Sequence, residues 1–199
     1  IAGTKLQIPE TLGGYPVVSL GWGFINDGQA KRITEIEIPD SLIYFRMHNF
    51  ITTTWYDKQP DGIVYLGDIA IAIKGELPDG KLLIKEGTRV IAGSAFSGED
   101  AVIEAVLPST LEVIGYDAFD CCEKLAVIET ENTTADIDSF ALYGTKWMAE
   151  QKGDMISLCN TLLLYTREDS AFEDVFIPEG IRKISNFTFG LCENMGIIH

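Results

Sequence analysis

Leu107-Pro108-Ser109-Thr110-Leu111-Glu112-Val113-Ile114-Gly115-Tyr116-Asp117-Ala118-Phe119-Asp120-Cys121-Cys122 decides the fold, because its pattern returns elsewhere in the chain. Phe119 stands twelve residues after Leu107, and the same interval separates Ile38 from Phe50, Ile84 from Phe96 and Ile177 from Phe189. These starts lie 46, 23 and 70 residues apart, so the underlying step is close to 23. A fixed step of that size marks stacked supersecondary units. One such unit, two short extended segments and a turn, cannot bury a core alone; stacked copies can.

Each unit has a physical reading. The run before the Pro alternates and is β-branched, as in Arg32-Ile33-Thr34-Glu35-Ile36-Glu37-Ile38, which predicts a strand. Pro39, Pro108 and Pro178 cannot donate to a ladder and end it. A polar turn follows, then a second apolar stretch such as Val113-Ile114, and Ala-Phe fills the interior on the return. A degenerate copy starts at Thr130, with Ile137 and Leu142 at its core positions. A stretched one opens at Ile8-Pro9, with Leu20 and Phe24 in the core. The chain therefore reads as one solenoid segment over 1–199, with starts near 8, 38, 84, 107, 130 and 177.

Two segments interrupt the pattern and resemble each other, Trp55 to Leu66 and Trp147 to Leu158, at an offset of 92 residues. Each continues into a second apolar strand, Ile69 to Ile73 and Leu162 to Tyr165. The links Gly67-Asp68 and Cys159-Asn160 suit tight hairpins. A Trp-anchored β-hairpin is thus expected at about 55–75 and again at 147–166.

The phrases starting at Leu107 and Ile177 resemble the BspA-type leucine-rich repeat of bacterial surface proteins. Its consensus runs Ile-Pro, Val-x-x-Ile-Gly, Ala-Phe, then Cys and Leu. The resemblance covers essentially the whole chain. Thr130 and Leu142 depart from the usual Ile and Phe. It implies a mainly β, right-handed leucine-rich-repeat solenoid with a parallel sheet along one face. It also implies export to the cell surface and adhesive binding to host proteins or other cells.

Composition narrows the partners. Among 199 residues, 30 acids face 15 bases, a net charge of −15, while 46% of residues are hydrophobic, enough for a continuous core. Nucleic acid and anionic membranes need basic patches and are poor partners. No apolar run approaches the roughly 20 residues that span a bilayer. The chain opens at Ile1 in mid-pattern and closes at Gly196-Ile197-Ile198-His199, where another unit should begin, so targeting segments are expected outside it. Cys122 and Cys192 share a repeat position and read as small buried fillers; Cys121 and Cys159 are singletons, and no paired zinc motif exists. The redox compartment stays open.

Signatures of catalysis are scarce: there is no nucleophile elbow, zinc-protease motif or phosphate loop. His48 reads as a turn residue rather than a base, and Asp57 with Asp61-Gly62 lacks the alternating acids of a calcium loop. No cofactor and no metal are expected. Trp55 and Trp147 read either as caps on the core or as sugar platforms.

The remaining candidate is the sheet face. Counting back from each apolar start, alternation puts positions −1 and −3 outside. One outward column includes Glu35, Glu104 and Asp174, the other Glu37, Val106, Glu129 and Phe176. Stacked units would present them as one continuous surface. The expectation is a non-catalytic module that binds proteins there, host extracellular-matrix or cell-surface proteins being the implied class and glycans a weaker one. A rigid spacer displaying neighbouring domains is the alternative; a hydrolase would need two carboxylates in a deep pocket.

Overall fold

In Glu104-Ala105-Val106-Leu107, period-two alternation buries Ala105 and Leu107 and turns Glu104 and Val106 outward, and stacked copies of that strand form one wall of the molecule. The structure is a computed structural model and describes residues 4–131, 134–166, 173–190, 192 and 196–199. Ile1, where the chain opens in mid-pattern, lies outside the described residues.

In chain order the elements begin with β1 (Thr4–Gln7), β2 (Thr11–Leu12), β3 (Tyr15–Pro16), α1 (Asp27–Ala30) and β4 (Ile33–Glu37). Next come α2 (His48–Ile51), α3 (Thr54–Asp57), β5 (Gly62–Leu66), β6 (Ile69–Lys74), β7 (Lys81–Leu83) and β8 (Val90–Ile91). Then follow β9 (Glu104–Leu107), β10 (Val113–Ile114), β11 (Val127–Thr130) and β12 (Asp136–Ile137). The last are α4 (Lys146–Glu150), β13 (Met155–Leu158), β14 (Thr161–Tyr165) and β15 (Lys183–Ile184).

The fold is a mainly β solenoid. Parallel pairing places Lys81, Glu104 and Val127 side by side, then Leu82, Ala105 and Ile128, then Leu83, Val106 and Glu129. Each step is 23 residues, the period of the sequence. A second parallel ladder runs through β6, β8, β10 and β12, aligning Ala70, Ile91, Ile114 and Ile137. The two-residue strands of this ladder were legible only as short apolar stretches. Between the ladders lie the fully buried rings of Phe50, Phe96 and Phe119, with Leu42, Leu82, Leu125 and Leu142. Phe96 and Phe119 pack at 5.2 Å between centroids, one turn on the next.

The outward face is not one continuous sheet. β1 pairs with β4, β7–β9–β11 form a separate ladder, and Val175 pairs with Ile198 apart from both. The helices α3 and α4 explain the first two boundaries. Thr54 Oγ1 donates to Lys31 O at 2.8 Å, and Trp147 N donates to Leu125 O at 2.6 Å. A helical turn therefore stands where the next strand would pair, and covers the ladder's edge.

Both helices are built alike. The Thr53 hydroxyl accepts from Tyr56 N at 3.1 Å and donates to Phe50 O at 2.7 Å; Thr145 does the same with Met148 N and Leu142 O. Gln59 and Gln151 then donate their amides to Trp55 O and Trp147 O. Antiparallel hairpins follow, β5–β6 turning at Gly67-Asp68 and β13–β14 at Cys159-Asn160. Trp55 and Trp147 are half-buried against the core. In the first insert, the Lys74 ammonium donates to the carbonyls of Asp57 and Gln59, at 2.7 and 2.6 Å, and so holds hairpin to helix. Thr166 occupies that place in the second, its hydroxyl donating to Gly153 O.

Of the two cysteines read as buried fillers, Cys122 is buried and donates its thiol to Phe96 O at 2.9 Å, whereas Cys192 is half-buried. Cys192 lies between Val175 and Ile198, which pair in parallel at the same 23-residue step.

Candidate functional site

The outward columns are built by strand alternation and held in place by cross-strand register. Glu104 and Val106 are half-buried on β9, and Glu129 is exposed on β11. They sit beside Lys81, Leu83 and Val127, of which Leu83 is 58% exposed and Val127 43%. This central ladder thus offers an apolar diagonal, Leu83–Val106–Val127, bordered by charge. Neighbouring strands stand about 4.8 Å apart, so the group is a flat patch rather than a cleft.

Glu35 and Glu37 are exposed, but on β4, which pairs with β1 rather than with β7. Asp174 and Phe176 are exposed at the last turn, flanking the Val175–Ile198 bridge. The stripe read from the sequence is therefore three patches separated by the inserts. All seven residues do face outward, as alternation requires, except that Glu104 and Val106 are partly shielded by their neighbours.

Much of the charge is answered from within the molecule. Lys5 pairs with Glu37, and Lys81 with Glu104, which raises the lysine's pKa through that hydrogen bond. Asp174 accepts from Ile197 N at 2.9 Å and from His199 at 3.0 Å; the backbone bond first, then the imidazole, hold its carboxyl below the usual range. The same imidazole stacks on Phe176, at 4.7 Å and 11°. Water screens exposed pairs of this kind, so they order the surface more than they stabilise it.

Among the described residues, no group of three His, Cys, Asp or Glu could hold a metal ion, and no helix is long and apolar enough to cross a membrane. A cleft of ≈ 680 Å³ lies between the second insert and the last turn, and its lining among the described residues has no Asp, Glu, His or Cys.

Sequence reading missed a second exposed feature, beside the β8–β10–β12 ladder. Ser94, Asp117, Phe140 and Phe187 occupy one repeat position, each with a left-handed backbone, φ 60, 55, 56 and 62°. That conformation swings their side chains outward at the end of the ladder. Aromatic residues gather there: Tyr116 meets Phe140 at 5.8 Å, and Phe140 meets Phe187 at 5.2 Å. The signal was present in the sequence as Tyr116, Phe140 and Phe187 following each Ile at or near the same count, but nothing in the spacing says which way they point.

Among solved structures, the chain is similar to a leucine-rich repeat protein from Bacteroides ovatus, at 17% identity and a TM-score of 0.40, over 91% of this chain and 53% of that one. The chain thus spans about half the length of that protein. No family model matches the chain, and no curated protein does. The solenoid rests on its own ladders and their 23-residue register.

Proposed function

We propose that the chain is a non-catalytic binding module whose outward sheet face docks a protein partner. The observation that supports this is the flat patch on β7, β9 and β11, where exposed Leu83 and Val127 with half-buried Val106 form an apolar diagonal bordered by Lys81, Glu104 and Glu129. A flat face with an apolar centre and a charged rim suits a macromolecule better than a small ligand, which needs concavity. On the resemblance in its repeats, the module belongs to a longer exported protein of the bacterial cell surface, and its partner is a host matrix protein or another cell's surface protein.

The test is an array of extracellular-matrix proteins and glycans, probed with the chain and with a variant carrying Glu104→Lys, Glu129→Lys and Asp174→Lys. A hit lost in the variant supports the sheet face. Hits that survive the reversal sink that face as the site. Silence across the array favours a rigid spacer, a reading that the internal pairing of Glu37, Glu104 and Asp174 also favours, since paired acids need no partner.

A further inference from the structure

Aromatic residues follow the second ladder along the solenoid, the exposed Trp22, Tyr44, Tyr143 and Phe187 set around the half-buried Tyr116 and Phe140. Trp22, 77% exposed, and Tyr44, 38% exposed, share a small cleft with Tyr116 and Asp138. Tyr116 touches Phe140, which touches Phe187 and also Tyr143, at 5.8 Å. Tyr143 is 58% exposed and Phe187 69%, and both line the large cleft. Monomeric surfaces seldom expose so many contiguous rings without a use for them. Two of these residues, Phe140 and Phe187, hold a left-handed backbone that bulky side chains disfavour. Such strain persists where the surroundings impose it, and it often accompanies function.

One ring of the stripe already holds a cation of this chain. The Arg46 guanidinium lies over the Tyr116 ring at 4.4 Å and within 3.7 Å of Asp117. It is a cation seated on a ring with a carboxylate beside it. The neighbouring carboxylates are Asp120, Asp136 and Asp138; burial first and then Asp120 push Asp117 up, and burial followed by Asp136 and Asp138 push Tyr44 up. Arg46 faces this group from an adjoining turn. With a net charge of −15 on the chain, a second copy or a polyanion would be repelled from the stripe.

We propose that this aromatic stripe binds an extended polypeptide segment bearing Arg or Lys, its cations stacking on the exposed rings of Trp22, Tyr44, Tyr143 and Phe187 as Arg46 does on Tyr116. The stripe shares no residue with the sheet face, so the two readings fail separately.

The test uses the whole chain and three labelled probes: an Arg-Ser repeat octapeptide, the same peptide with neutral citrulline for Arg, and a neutral β-glucan hexasaccharide. The variants are Phe187→Asn with Tyr143→Ala, which removes rings and leaves every charge, and Asp136→Asn with Asp138→Asn, which removes charge and leaves the rings. Asn suits the left-handed backbone at 187. Tyr143→Ala alone keeps the test standing if the ring pair fails to fold. The arginine peptide is expected to bind, and either double variant to weaken it at least about tenfold, the worth of one or two cation–π contacts. The citrulline peptide is expected not to bind. No binding of the arginine peptide, or binding indifferent to loss of the rings, overturns the proposal. So does ring-dependent binding of the hexasaccharide alone.

Discussion

Gly115 sits where one turn of the chain passes closest to the next. A Cβ built there would lie 2.6 Å from Gly93 N and 2.9 Å from Ile91 O, both backbone atoms of the preceding turn that cannot step aside. Gly115→Ala should therefore force the turns apart and cost ~1–3 kcal/mol, read as a lowered denaturation midpoint; an unchanged midpoint would show that the turns slide freely. Cys122 is a second single-residue probe. Burial pushes its thiol up to about 12, from an ordinary value of 9.0. The native state then keeps a proton that the unfolded chain releases, so stability falls as pH rises from 9 toward 12, by up to about 1.4 kcal/mol per unit. Urea titrations of the chain and of Cys122→Ser across that window should diverge with pH; parallel curves would refute the assignment. At neutral pH, a maleimide should label Cys122 only when the chain unfolds.

At the scale of elements, the inserts are the informative pieces. Each begins with a buried Thr whose hydroxyl both caps the helix and satisfies a carbonyl of the preceding turn. Thr53→Ala or Thr145→Ala should cost ~1–2 kcal/mol, while Thr→Ser should recover most of it, since the hydroxyl and not the methyl makes both bonds. Lys74→Met tests whether the ammonium truly holds hairpin to helix: loss of two short bonds to carbonyls should open β5–β6 to faster amide exchange while leaving β9 protected. The strands β9 and β11 were legible from alternation alone, because one face must be dry. The helices α3 and α4 were not. Four or five residues carry too little periodicity to be seen, and the Thr that starts each one looks like any other polar residue until the fold places a free amide above it.

For the whole molecule, charge and stacking set the behaviour. Thirty acids against fifteen bases, spread over an elongated stack, repel one another, and salt screens that repulsion. Raising sodium chloride from ~10 to ~150 mM should raise the melting temperature by several degrees. A melting temperature that falls would mean that pairs such as Arg89 with Asp68 and Glu112, which tie successive turns, outweigh the net charge.

At this same scale the division between sequence and structure is clear. The 23-residue period, the burial of Phe50, Phe96 and Phe119, and the outward alternation of Glu104, Val106 and Glu129 follow from the sequence, because periodic burial is written residue by residue. Whether the outward residues make one surface is not local information. It depends on α3 and α4 ending each ladder, and on left-handed turns aiming Phe140 and Phe187 away from the core. Only the stacked chain decides those, since an edge is covered, and a ring exposed, by what the neighbouring turn does.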